Sequence, residues 1–241
     1  MKNIRQNKKG QFIIIAVMLI AVMIISLGAL MHTSVTYYKH EPWEEYSTLI
    51  GDIELNSHRL IELSLATYTN TLDQQVLKDN LEQWQRDLSD IYFQNGISLG
   101  YTLMDGTSNI NGINLNFVDG LATSWNKTNS ASAARVAFAL NISSIGLTGY
   151  EFTTTAFLEL KVFSPVTEGN VTLAVKEENQ VLITDLSEDN FRVNLNPVAN
   201  FSTRYFDSET YPLVYNMGYS GDGLPIIELW DQRGVRVVAK P

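Results

Sequence analysis

QFIIIAVMLIAVMIISLGALM, residues Gln11–Met31, holds no charged side chain, and its reading decides the architecture of the chain. At 1.5 Å per residue a helix of this length spans about 30 Å, the thickness of a bilayer's hydrocarbon core. Ile, Val, Leu, Met and Phe dominate all round, so no polar face is left to meet water. Lys8 and Lys9 stand at one end, and His32, Thr33, Tyr37 and Tyr38 follow the other. Basic residues favour the cytoplasmic side and tyrosines the interfaces. The expected arrangement is a single-pass helix at 11–31, seated in the lipid bilayer of the cell membrane. The basic leader, 1–10, then lies in the cytoplasm and the C-terminal domain is extracellular.

Outward from this helix, charge divides the chain. The first ten residues carry Lys2, Arg5, Lys8 and Lys9 and no acid, whereas the 241-residue chain is −9 overall. The body is therefore strongly acidic, which argues against nucleic acid as a partner, because phosphate neutralisation needs clustered Lys and Arg. Cysteine is absent, which removes disulfides, thiol nucleophiles and Cys-based metal sites. A hydrophobic share of 45% with 18% charged residues predicts a folded body rather than wholesale disorder.

Lys8-Lys9-Gly10-Gln11-Phe12, directly before the apolar run, resembles the class III signal of archaeal type IV pilin-like proteins. The resemblance covers about 30 residues, and Gln11 and Leu19 fall where the archaeal pattern has Gln and Leu. It implies that a prepilin-type peptidase cuts after Gly10 and leaves Gln11 as the mature N-terminus, the signal peptide's hydrophobic helix being retained. The Ser and Glu that the pattern usually carries are replaced here by Ile13 and Ile15.

Beyond the membrane, 32–95 reads as a juxtamembrane segment and a helical hairpin. Glu41-Pro42-Trp43-Glu44-Glu45 looks like a helix start, with Pro in the first turn and acids at the positive dipole end. Ile50, Ile53, Leu60, Ile61, Leu65 and Tyr68 form one apolar stripe, and Leu72, Val76, Leu81, Trp84, Leu88 and Ile91 a second. Asn70 or Thr71 between them is the expected N-cap of the second helix.

At Asn95-Gly96 the period changes. Ile97–Met104, Ile110–Val118, Ala133–Ile142 and Tyr150–Phe163 read as strands of a β-rich region, 96–155, with turns at Asp105-Gly106, Asn111-Gly112 and Asp119-Gly120. Thr123–Ser132, small and polar, reads as an exposed loop. From 156 to 241 come further short strands: Val171–Lys176, Gln180–Thr184, Phe191–Leu195, Phe201–Phe206, Leu213–Met217, Pro225–Trp230 and Val235–Lys240. That density is the signature of an immunoglobulin-like β-sandwich. The fold class expected is thus α+β: a transmembrane helix, a helical hairpin stalk, and a β-rich ectodomain ending in the sandwich.

Chemistry is scarce. His32, His40 and His58 lie beside the membrane or in the first stalk helix, and no nucleophile elbow or phosphate loop occurs. The acid-rich turns Ser187–Asn190, Asp207–Glu209 and Ser220–Gly223 match no recognised calcium loop. We therefore expect no catalytic residue, cofactor or metal. Four N-glycosylation sequons begin at Asn126, Asn141, Asn170 and Asn200, the first in the most polar loop and the second in an expected strand. The reading is a membrane-anchored extracellular structural or interaction protein, pilin-like or adhesin-like. Its expected partners are the bilayer, further copies of itself or other membrane or surface proteins. The alternative is a tethered ligand-binding or sensory accessory ectodomain that acts through a membrane partner.

Overall fold

The computed structural model describes residues 8–39, 43–167, 169–205, 212–220 and 223–241. The chain divides into two compact units, Met1–Ile53 and Glu54–Pro241. The first contains helix α1 (Lys8–Lys39) and the beginning of α2 (Trp43–Thr71). Helix α1 runs past both ends of the expected 11–31 segment. Its side chains are described from Val17 to His32, and all of these are exposed. That stretch is shorter than the roughly 20 residues a bilayer crossing takes. Among the described residues, no helix is long and apolar enough to cross a membrane.

The second unit opens with the rest of α2. Leu72, at a left-handed φ of 60°, closes that helix, and Asp73 Oδ1 accepts the Gln75 N–H at 3.0 Å to start α3 (Val76–Ile91). Asn80 Nδ2 donates to Ser64 Oγ at 2.9 Å and Trp84 Nε1 to Ser57 Oγ at 3.2 Å, so the two helices run antiparallel. Ile61, Leu65, Leu77, Leu81 and Leu88 are buried. The cap expected at Asn70 or Thr71 is not there, because both residues still belong to α2. Asn70 instead donates to Gly234 O at 2.9 Å and accepts the Trp230 indole N–H at 2.9 Å. The hairpin is accordingly no free-standing stalk: Tyr150 donates to Glu54 at 2.6 Å, and Arg236 N to Thr69 Oγ1 at 3.0 Å.

The β region comprises β1 (Ile97–Leu103), β2 (Gly106–Ile110), β3 (Ile113–Phe117), β4 (Leu121–Ser124), β5 (Asn129–Ile142), β6 (Leu147–Thr167), β7 (Asn170–Glu177), β8 (Phe191–Val193), β9 (Asn196–Pro197), β10 (Ala199–Tyr205), β11 (Leu213–Gly218), β12 (Ile227–Trp230) and β13 (Arg236–Ala239). One sheet has the order β1-β5-β6-β7-β11-β10, with β4 also on β5; a second has the order β13-β12-β8-β9; β2 and β3 form a hairpin of their own. The fold is α+β, and the strand pairings are antiparallel throughout.

Alternation along β5 places Val136, Phe138, Leu140 and Ile142 on one face, in register with Leu103, Tyr101, Leu99 and Ile97 of β1, against which α3 packs. Further back on that face β13 crosses, and Ser132 Oγ donates to Arg236 O at 2.6 Å. On the opposite face Ile113, Leu115 and Phe117 of the β2–β3 hairpin cover Ala131, Ala133 and Phe157.

Several boundaries differ from those expected. A division at 155/156 would fall inside β6, a single strand of 21 residues, so 96–155 and 156–241 share a sheet. Thr123–Ser132 is not an exposed loop: Ser130, Ala131 and Ser132 are buried within β5. Their small side chains look loop-like in sequence but let layers approach from both faces; packing here overrides propensity. The expected strand Ile110–Val118 is half of a hairpin that turns at Asn111-Gly112, where both φ values are positive. Gln180–Thr184 is not a strand of its own: Asn179 and Gln180 take positive φ and fold the chain back on the end of β7, where Leu182 bridges Lys176 and Ile183 N donates to Val175 O at 3.1 Å.

Candidate functional site

The sites expected from sequence do not converge. Gly10 and Gln11 lie within the backbone of α1; the Gln11 side chain, His40 and Asp207–Glu209 are outside the described residues. Asn126 is exposed, at φ 60°, in the turn between β4 and β5, where its N–H donates to Val238 O at 2.9 Å. Beside it the Arg236 guanidinium sits 5.4 Å from the Trp125 ring centre and 5.5 Å from that of Trp230, and it pairs with Glu228. Asn141 is engaged on both sides, its Oδ1 accepting Gly149 N at 2.7 Å and its Nδ2 donating to Ser98 Oγ at 3.4 Å. Asn170 is exposed at the start of β7, and the hydroxyl of Thr172 in its sequon donates to Asn216 at 2.6 Å. Asn200 is exposed at the irregular start of β10, with φ 50°. His58 pairs with Glu62 one helical turn on, at 3.5 Å.

The densest electrostatic cluster was read from sequence only as a hairpin turn. Arg233, between β12 and β13, donates to Asp231 Oδ2 at 2.7 Å, Glu178 Oε1 at 2.7 Å and Glu62 Oε1 at 3.0 Å. Its remaining guanidinium nitrogen donates to Phe157 O at 3.1 Å, and Glu178 accepts the Phe157 N–H. One guanidinium thus joins α2, β6, the turn after β7 and the β12–β13 turn. Asp231 Oδ1 further accepts the N–H groups of Arg233 and Val235. Burial pushes the Asp231 carboxyl up, against the pull of Arg233. Burial likewise works to lower the Arg233 pKa, but the charges of Asp231 and Glu178 outweigh it and hold the group above its ordinary range. Nothing in the sequence ties Glu62 to a residue 171 positions later, so the cluster leaves no local signal.

Beside this cluster is a cavity of 410 Å³ lined by Glu177, Leu182, Ile183, Thr184, Asp185 and the β12–β13 turn. Burial raises the Glu177 carboxyl, Arg233 lowers it, and the neighbouring acids Glu178, Asp231 and Glu62 raise it further. Arg233 is already committed to three carboxylates and has little capacity left for an anionic ligand. Among the described residues no group of three or more His, Asp or Glu is placed to hold a metal ion. A wider trough, 620 Å³, lies on the outer face of β1, β5 and β6 over Gly100, Thr102, Ala137, Ala139, Glu151 and Thr153. In comparisons with known proteins the chain matches no family model, no curated protein and no solved structure.

Proposed function

We propose that this protein is a membrane-anchored extracellular structural or interaction subunit, pilin-like or adhesin-like, and that it does no catalysis. The observation that carries the reading is the uncharged run Gln11–Met31 inside α1, with large apolar side chains such as Ile25 and Met31 exposed to about 70%. A helix apolar on every side needs an apolar surrounding, and one of this length suits a bilayer. The basic residues before it support a cytoplasmic leader, and Gly10–Gln11 is the bond a prepilin-type peptidase would cut.

The body is read as a rigid interaction module. When β6 to β13 are lettered A, B, C, C′, D, E, F and G, the two sheet orders become A-B-E-D and G-F-C-C′, the arrangement of immunoglobulin-like sandwiches. Strand A is extended here and continues the sheet through β5 to β1. Asn126, Asn170 and Asn200 are the sequons open to glycosylation, whereas the Asn141 amide is already bonded. The trough over Ala137 and Ala139 favours a second reading, a tethered ligand-binding accessory protein.

The test is intact mass and N-terminal sequencing of the protein purified from its native membrane. A chain in the membrane fraction that begins at Gln11 is the expected result. Recovery in the soluble fraction would overturn the anchor, and an uncut N-terminus would overturn the pilin-like reading while leaving a tethered ectodomain.

A further inference from the structure

The first sheet has two unlike edges. At one, α3 packs against β1, and Gln85 Nε2 donates to Leu99 O, so a backbone acceptor is already taken. At the other, β10 pairs only with β11 among the described strands, and six of its seven residues are exposed, Phe201 being half-buried. The second sheet is also closed. Its β13 edge is held by the loop after β4, through Asn126 N to Val238 O at 2.9 Å and Lys240 N to Lys127 O at 3.2 Å. Its β9 edge is two residues long and includes Pro197.

An unpaired strand edge is a template for another strand. β10 reads Ala-Asn-Phe-Ser-Thr-Arg-Tyr and is lightly protected as an edge: Arg204 is its one charge, and it has no Lys, no acid and no Pro. Its one irregularity is the register shift between Ala199 and Ser202, so Ser202–Tyr205 is regular strand.

We propose that β10 is a self-association edge, at which two copies of this chain pair their β10 strands antiparallel about a twofold axis at Thr203. The occupant is a second copy because the strand is self-complementary in that register, and an isologous pair closes, so that no open polymer forms. Ser202 lies opposite Arg204, which keeps the strand's only charged residues apart, and Phe201 lies opposite Tyr205. Tyr205 is 85% exposed in the single chain. Pairing places it beside the partner's aromatic row, in which Phe201 stacks on Tyr215 at 5.7 Å and Phe191 meets both. This inference goes beyond the tethered-subunit reading and does not depend on it, since it needs only the second unit.

The chain contains no cysteine, so a single Cys reports one contact. Full-length T203C, made in a host that does not attach N-glycans and held in detergent micelles, should form a disulfide dimer under mild oxidation. S98C, on the closed β1 edge, should not. S202K in the T203C background sets Lys against Arg204 in both copies and should cut the dimer yield at least tenfold. Adding R204D sets Lys against Asp and should restore it. T203C that stays monomeric across a hundredfold concentration range would overturn the proposal. Equal cross-linking by S98C, or S202K without effect, would assign the product to random collision or to another register and overturn it equally. Far-UV circular dichroism of each variant separates these outcomes from misfolding.

Discussion

Two turns of the small sheet invert the usual relation between polarity and burial. The β12–β13 turn, Asp231 to Gly234, is charged yet enclosed: the Asp231 side chain is 2% exposed and that of Arg233 18%. The β8–β9 turn, Asn194-Leu195, has an apolar tip, and Leu195 is 78% exposed. Nearby, Leu224 and Ile226 are exposed too, and Ile226 is tied to Asn194 by two backbone-anchored hydrogen bonds. Polarity alone therefore does not sort inside from outside. The charged turn is enclosed because Arg233 meets partners from α2, β6 and the turn after β7 while Asp231 is satisfied by Arg233 and Val235, and the apolar tip stands out because it closes a two-residue hairpin and leaves Leu195 exposed. Burial follows available partners.

The largest expected effect comes from breaking the enclosed turn. Arg233→Ala leaves Asp231, Glu178 and Glu62 facing one another without their common cation, and about 3–5 kcal/mol of stability should be lost. A shift of the urea midpoint for the full chain in detergent checks this, and an unchanged midpoint would show that the cluster is solvated. Next in size is Tyr215→Phe. The buried hydroxyl donates to Ile183 O at 2.7 Å and accepts Leu186 N at 3.3 Å, tying the crossover between the two sheets, and burial pushes its pKa up to about 12. Losing both bonds should cost about 1–3 kcal/mol, and hydrogen exchange at Leu186 should quicken more than exchange in β1.

The exposed turn should respond in the opposite direction. Asn194 and Leu195 hold φ values of 51° and 67°, the left-handed pair of a type I′ turn that favours Asn-Gly. Leu195→Gly relieves that conformation and removes no core contact, so stability should rise by about 1 kcal/mol. A fall in melting temperature would mean that Leu195 has a packing partner. The smallest effect concerns pH. Glu177 has its carboxyl raised on folding, chiefly by burial. The folded chain therefore keeps a proton that the unfolded chain has lost, and stability falls as pH climbs from the ordinary 4.5 through the raised value. Asp231, raised in the same sense, adds to that slope. Glu177→Gln should flatten part of it in denaturation curves taken at several pH values and leave the Asp231 share.

Much of the fold was legible in the residues, for a local reason. The stripes Ile61–Leu65–Tyr68 and Leu81–Trp84–Leu88 announce helices because a packed helix face repeats every three to four residues. The alternation of β5 beyond Ala134 announces a strand because its two faces meet different surroundings. Asn111-Gly112 and Gly234 were readable as turns through the φ values they permit. Where both faces of a strand are covered, as at Ser130–Ser132, alternation vanishes and the reading failed. It failed again at Asn70, whose capping chemistry is ambiguous until the β12–β13 turn arrives to claim it.

By itself, then, the sequence determined the apolar helix, the hairpin, the run of short antiparallel strands and the candidate processing and sequon positions, since each is written in neighbouring side chains. Only the tertiary structure decided the joining of the two expected β regions through β6, the assembly of Glu62, Glu178 and Asp231 on Arg233, and which edges are closed. Those depend on residues up to 171 positions apart, and contact at that separation follows from packing the whole chain rather than from any local pattern.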